Sequence, residues 1–394
     1  MVELNSIYKE IEEQSRHIET AIAALVSGEM NGEDLRFPAT SSALEGLIGS
    51  DVKNAPIKLE NAWFLSEPEN RSWVNDEGEI PFSEGRYVVE GWGAKGAAGV
   101  VFKAWDRVRG DVVAIKVLSN TFLEALEIEP SEYLAEAQAV ASLNHPHIVK
   151  IYDAFKGKVE TDLVVDGSRR KKYESNTLLI TEWAGIDLHV YLKQCNRKGV
   201  YPPIKRVRKL LREMSQAVDY VHQNDIVHRD IKPSNFLLSR NNGDDDIQVR
   251  LCDFGISSSV APNGSYQIIG TPQYLDPVAI TSGEYSDSSD NFAFAVTAFQ
   301  LLFNVHPLKE EGVGLNSAGY YTGFMGLKEG DVMRANINRR TDLSDEAKAT
   351  IEKIFLNALS LDKDRRYSTN QKLVDELEDA LKLGAEVTLA DIAE

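Results

Sequence analysis

The sequence predicts an α+β chain, in which a small antiparallel sheet with one helix precedes a larger, mainly helical region. Three observations predict it. Strand-like runs such as Tyr87-Val88-Val89 and Val112-Val113-Ala114-Ile115 cluster before residue 184, and β-branched residues of this kind fit a pleated, half-buried surface. Farther on, Ile204, Val207, Leu211, Met214, Val218 and Val221 recur at helical spacing. The run NFAFAVTAFQLLF at residues 291–303 is too short for a bilayer span and soon meets His306-Pro307, so it reads as a buried helix.

With 394 residues and 43% hydrophobic content, the chain can form one large two-lobed domain plus an extension, or two to three ordinary domains. A formal net charge of −18 argues against nucleic acid or an anionic membrane as a general partner. Cys195 and Cys252 make no disulfide framework and suit a reducing compartment. The start is acidic and amphipathic, without the order of a secretory signal, and no transmembrane segment is expected.

Residues 1–84 hold 17 acidic and 6 basic side chains, so most of the excess negative charge lies there. Leu4, Tyr8, Ile11, Ser15, Ile18, Ile22 and Leu25 step by four and three, a heptad-like stripe that stops near Gly28 and Gly32. Ser15 interrupts the seam, which favours a helix docked on the protein's own body over self-association through residues 4–25. Trp63, Phe64, Trp73 and Phe82 favour packing over full disorder.

Between residues 91 and 103 a glycine-rich turn, Gly91-Trp92-Gly93-Ala94-Lys95-Gly96-Ala97-Ala98-Gly99, joins two strands. Such a turn lets backbone N–H groups approach phosphate oxygens, though a flexible hairpin would look the same. Lys116 stands among apolar strand residues and, taken singly, reads as a solvent-facing lysine. Residues 131–143 are helical, with Glu136 lying 20 positions after Lys116 and Glu132 one turn away on the same face. Residues 148–155 and 176–183 read as two more strands of the sheet. The run Arg169-Arg170-Lys171-Lys172 sits at the expected tip of the insert between them, as a solvated turn or a docking site for an acidic partner.

The stretch from His228 to Gly255 carries the chemistry. It opens with His228-Arg229-Asp230-Ile231-Lys232-Pro233-Ser234-Asn235 and closes with Asp253-Phe254-Gly255. Between them, apolar residues flank an Asn-Gly and acidic cluster, the pattern of two strands joined by a hairpin. That pattern puts a carboxylate (Asp230), an ammonium (Lys232), a carboxamide (Asn235) and a second carboxylate (Asp253) at the ends of neighbouring strands. Such oxygen ligands suit Mg²⁺, which keeps several waters and takes the rest of its shell from phosphates. An aspartate beside a lysine can orient a hydroxyl while the cation offsets charge on a transferring phosphoryl group.

These residues resemble the protein kinase family, specifically its Ser/Thr branch, over roughly residues 85–383. The resemblance implies a bilobal fold: an acidic extension at 1–84, a domain at 85–383 divided into lobes at 85–184 and 185–383, and a short tail at 384–394. It implies Asp230, Lys232, Lys116, Glu136 and Thr271 as catalytic residues, and Asn235 and Asp253 as ligands for Mg²⁺. Gly96, Gly99, Val101, Ala114, Lys116, Thr181, Glu182, Ala184 and Leu237 would contact ATP, with Glu132 the rival partner of Lys116. Ala94 stands where the family's first lid glycine is usual, unless Gly93 serves by a one-residue shift.

By the same resemblance, residues 253–277 form an activation segment rich in hydroxyls: Ser257, Ser258, Ser259, Ser265, Tyr266 and Thr271. Arg229 suggests a cationic pocket that a phosphate there could neutralise. Val278 replaces the glutamate that usually follows Pro277, so the ion pair expected of Arg366 is missing or re-formed elsewhere. Asp290 resembles the aspartate that anchors the catalytic-loop backbone, and it could equally cap its helix. The expectation is an ATP- and Mg²⁺-dependent kinase phosphorylating Ser/Thr of proteins in the cytoplasm, or in another cell after delivery. The alternative is a kinase-shaped pseudoenzyme acting as a nucleotide-binding scaffold.

Overall fold

The computed structural model describes residues 63–66, 86–96, 99–118, 123–124, 128–165, 168–240, 247–254, 271, 273–282, 284–309 and 331–383. They divide into two compact units. One runs up to Ser142 and resumes over Lys150–Trp183; the other comprises Leu143–Val149 and the chain from Ala184 onward. The heptad-like stripe at 4–25, the acidic turn at 241–246 and the hydroxyls of 257–266 lie outside the described residues.

The first unit is a sheet with one helix. Its strands are β1 (Trp63–Ser66), β2 (Tyr87–Gly96), β3 (Gly99–Asp106), β4 (Asp111–Leu118), β5 (Ile151–Val165) and β6 (Ser168–Glu182), and its helix is α1 (Pro130–Ala141). Spatial order is β1-β5-β6-β4-β3-β2, antiparallel throughout. Side chains alternate across the sheet with period two. Phe102, Val113, Ile115, Val117, Leu178 and Ile180 fall on one face and form a core with Tyr87, Ala104 and Phe155. At the β3–β4 turn the buried Asp106 carboxylate accepts from the Arg86 guanidinium (2.8 and 2.9 Å) and from the Val108 backbone N–H (2.9 Å), so its charge is compensated where water is excluded.

Two expectations for this unit change. The insert after residue 155 is a hairpin, as expected, but the basic run is not its tip. β5 and β6 pair without interruption out to Val165 and Ser168, so Arg169–Lys172 lie along β6 and only residues 166 and 167 separate the strands. Those two are Asp166-Gly167, a dipeptide suited to a two-residue hairpin, preceded by the alternation Val159, Thr161, Leu163, Val165. The residues 148–155 strand also begins later than expected, at Ile151. Ahead of it the backbone pairs with the second unit's own strand, Leu251, through Val149 N–H (2.8 Å) and His147 C=O (2.8 Å). The division between units therefore differs from a single cut at residue 184. Trp63–Ser66, within the acidic extension, pairs with residues 157–160 of β5.

In the second unit, strand β7 (Ile186–Asp187) leads into α2 (Leu188–Arg197) and α3 (Ile204–Gln223), and β8 (Phe236–Arg240) and β9 (Ile247–Leu251) come after them; the three strands form a sheet in the order β7-β8-β9. Helices α4 (Pro277–Ser282), α5 (Asp287–Phe303), α6 (Asp331–Asn338), α7 (Asp345–Ala358) and α8 (Asn370–Ala380) follow. From Ser289 to Phe303 every α5 residue except Gln300 is buried, as a helix apolar on all sides requires. Its N-cap is Ser286, in a capping box with Ser289; Asp290 lies inside the helix. Among the described residues no helix is long and apolar enough to cross a membrane.

Candidate active site

Strand register brings two short loops together. Phe236 opens β8 opposite Leu251, the last residue of β9, so residues 228–235 and 252–254 emerge side by side. Cys252 N–H donates to Asn235 C=O (2.9 Å), and Cys252 itself is half-buried, less enclosed than a small core residue.

Asp290 reaches this loop from α5. Its carboxylate accepts from the backbone N–H groups of His228 (2.7 Å) and Arg229 (2.8 Å) and from His222 Nε2 (3.0 Å). These bonds hold Arg229 at φ 66°, a left-handed conformation that is costly for a side chain with a Cβ. Burial pulls the His222 pKa down, but the hydrogen bond and charge of Asp290, with Asp287 and Asp219, leave it above the ordinary histidine value. His228 is fully buried. Its Nδ1 accepts from Asp230 N–H (3.3 Å), and its Nε2 therefore donates to Cys252 C=O (3.1 Å), tying the two loops together.

On that frame sit the polar side chains. Lys232 Nζ donates to Asp230 Oδ2 (2.6 Å) and to Thr271 Oγ1 (2.8 Å). The Thr271 hydroxyl donates to Asp230 Oδ1 (3.0 Å), and its backbone N–H donates to the same oxygen (3.2 Å). Asn235 Nδ2 donates to the Asp230 backbone oxygen (2.7 Å) and to Oδ2 (3.2 Å). With its nitrogen committed, the Asn235 carboxamide has its oxygen left for a hard cation. Asp253, half-buried and held at φ 61°, supplies a carboxylate from the adjoining loop. Among the described residues no three His, Cys, Asp or Glu side chains cluster as a metal cage. A carboxylate and an amide oxygen fit Mg²⁺, which completes its shell with water and phosphate.

The first unit gathers a second set. Register pairs Val101 with Lys116, Lys116 with Leu179, and Ala114 with Thr181. Directly opposed residues share a face, as do Ala114 and Lys116 two positions apart, so Val101, Ala114, Lys116 and Thr181 line the face opposite the Phe102–Val113–Ile115 core. Glu182 N–H donates to Lys150 C=O (2.9 Å). On α1, Glu136 is half-buried and Glu132 exposed, which favours Glu136 as the inward-facing acid. Ala184 and Leu237 belong to the second unit, Ala184 buried and Leu237 half-buried on β8.

Gly96 pairs with Gly99 across the lid turn. Gly99 has φ +152°, and a Cβ there would lie 2.0 Å from the Val117 carbonyl oxygen, so no larger residue fits. Between the pairs Trp92–Phe102 and Lys95–Val100, Gly93 and Ala94 together oppose one residue, Val101. This is a β-bulge that contains both Gly93 and Ala94.

A sequence model described as the protein kinase domain matches residues 91–377. The chain belongs to the protein kinase family. It is 30% identical over 224 residues to the serine/threonine-protein kinase fused of Drosophila melanogaster, covering 56% of this chain and 24% of that protein. It is 28% identical to NUAK family SNF1-like kinase 1 of Mus musculus (72% and 38%). It is 26% identical to calcium/calmodulin-dependent protein kinase type 1 of Macrobrachium nipponense (76% of each). The match thus spans well under half the length of the first two relatives. The solved kinase domain of Mycobacterium tuberculosis PknI shares the fold, with TM-score 0.50 and 22% identity over 75% of this chain and 96% of that one.

For this kinase the departure at Val278 has a structural answer. Arg366 pairs with Asp276, two positions upstream, through Nη1–Oδ2 (2.7 Å) and Nη2–Oδ1 (2.8 Å). Both side chains are almost wholly enclosed, and the guanidinium also lies 4.9 Å from the Phe292 ring centroid. The ion pair is re-formed from a neighbouring residue. Sequence reasoning missed Asp276 in this role, although it stands two positions before Val278. It also assigned no task to His228, whose buried polar ring is visible only once the two loops meet.

Proposed function

We propose that this kinase transfers the γ-phosphoryl group of ATP to serine or threonine hydroxyls of proteins. The observation that carries the reading is the network joining Asp230, Lys232, Thr271 and Asn235. Bound Mg²⁺-ATP supplies an electrophilic phosphoryl group whose charge must be screened. Asp230 orients the acceptor hydroxyl and takes its proton, its carboxylate held in one orientation by the hydrogen bonds from Thr271 and Lys232. Lys232 places positive charge beside that hydroxyl. Asn235 and Asp253 offer the oxygens that would hold the metal, and Lys116, set opposite Val101, would meet the α- and β-phosphates with Glu136 fixing it. Thr271 ties the acceptor-docking segment to Asp230. Rate enhancement then comes from orientation and charge compensation.

Hydroxyls within residues 253–277 are proposed acceptors in autophosphorylation, and a reducing, cytoplasmic setting suits Cys195 and Cys252. The scaffold alternative draws on Ala94, Val278 and the acidic extension; the pairing of Arg366 with Asp276 answers the second of these. The test is to incubate the full chain with Mg²⁺ and γ-labelled ATP on an arrayed library of serine and threonine peptides, beside Asp230→Ala. Label on peptide or protein that disappears in the variant supports the proposal. Label absent from both, or equal in both, overturns it.

A further inference from the structure

Residues 271–277 are fastened at each end by bonds already described, Thr271 to Asp230 and Asp276 to Arg366. The middle is fastened by a residue that this chemistry does not use. His306 lies just past the C-terminus of α5 and is buried, with 3% of its surface exposed. Its Nε2 donates to the Gln273 carbonyl (2.9 Å), while Nδ1 accepts from Leu308 N–H (3.2 Å). The two bonds together select the neutral Nε2–H tautomer. The ring meets Tyr274 edge-on, with centroids 6.2 Å apart. Buried Asn336 on α6 donates to the carbonyls of Lys309 (3.2 Å) and His306 (3.4 Å), holding the loop that carries the imidazole. Above it, Tyr274 N–H bonds to Thr271 C=O (2.9 Å) and closes a turn over residues 271–274, and Gln273 itself is exposed.

We propose that His306 is a positioning residue for the protein acceptor. By gripping the Gln273 carbonyl it sets the turn over 271–274, the surface on which acceptor residues beside the phosphorylated Ser or Thr come to lie. The inference rests on reading residues 271–277 as the acceptor-docking segment of an active kinase. A turn tied only at its ends could still rotate its central peptide, and a buried donor aimed at one carbonyl removes that freedom.

Two substitutions separate positioning from mere packing. His306→Gln keeps an N–H donor near the place of Nε2. His306→Asn keeps an acceptor near Nδ1 for Leu308 and loses the donor to Gln273. For a peptide that the wild-type chain phosphorylates, His306→Asn is expected to raise the peptide KM about tenfold, the worth of one hydrogen bond, with the KM for ATP unchanged. His306→Gln is expected to restore it to within about threefold. Amide hydrogen exchange over residues 271–277 supplies a second readout that needs no activity: faster in His306→Asn, close to wild type in His306→Gln. Equal peptide KM values and equal exchange in the two variants overturn the positioning role. If the wild-type chain phosphorylates no peptide, the kinase reading fails, and the exchange comparison still decides whether His306 holds the turn.

Discussion

Breaking the Asp276–Arg366 pair tests how the second unit holds the chain that enters α4. In Arg366→Ala the Asp276 carboxylate, with no side-chain exposure, keeps one donor among the described residues, the Val278 N–H at 2.9 Å. One backbone donor cannot offset a dehydrated charge, so the expected loss is about 3–5 kcal/mol. Asp276→Ala leaves the guanidinium against the Ser360 carbonyl (2.7 Å), the Ser288 carbonyl (3.2 Å) and the Phe292 ring. Those acceptors compensate part of the charge and place the loss near the lower end, about 3 kcal/mol. The pair Asp276→Leu with Arg366→Met removes both charges and returns to within about 1–2 kcal/mol of wild type. Urea unfolding of the full chain, followed by tryptophan fluorescence and extrapolated linearly, reads each value. Single losses below about 1 kcal/mol, the range of an exposed pair, or strictly additive losses in the double variant, would refute the reasoning.

Three further outcomes are expected. Asp230→Asn should lower kcat by about 10²–10⁴-fold, the range for a lost general base, with an unchanged unfolding curve. Gly99→Ala should cost about 1–3 kcal/mol of stability through strain at φ +152° and the collision with Val117 O, measured as a drop in melting temperature. His306 gives a pH dependence. Burial, opposed by the Gln273 carbonyl and assisted by Lys309, lowers its pKa from 6.5 to about 4. Between those values the unfolded chain binds the extra proton, so stability is fully present above pH 6.5 and is lost as pH falls toward 4. The loss amounts to about 3 kcal/mol at roughly 1.4 kcal/mol per pH unit. His306→Gln should flatten that slope, and a slope identical to wild type would remove His306 as its source.

Much of the active site was legible because its chemistry is local. Asp230, Lys232 and Asn235 lie within six residues of one another, and a strand-turn-strand pattern is enough to bring Asp253 beside them. The lysine strand, the lid glycines and the buried α5 were legible for the same reason, since period and turn residues act over a few positions. The β5–β6 hairpin was legible but its tip was misplaced at the basic run Arg169–Lys172, which lies along β6. The two roles left open for Asp290 were decided by the backbone trajectory, which makes Ser286 the N-cap and turns Asp290 toward the His228 and Arg229 N–H groups.

The sequence alone therefore determined which polar residue types the loops before β8 and after β9 bring together, and the order of elements that carries them. Only the tertiary structure decided their supports. Asp290 meets His228 across 62 positions, Arg366 meets Asp276 across 90, and His306 meets Gln273 across 33. The reason is physical: a buried charge or donor must find a partner, but which partner depends on where helix packing leaves the backbone. No spacing rule encodes that choice, and an aspartate two residues before the place of the expected glutamate serves the arginine once burial brings the two within reach.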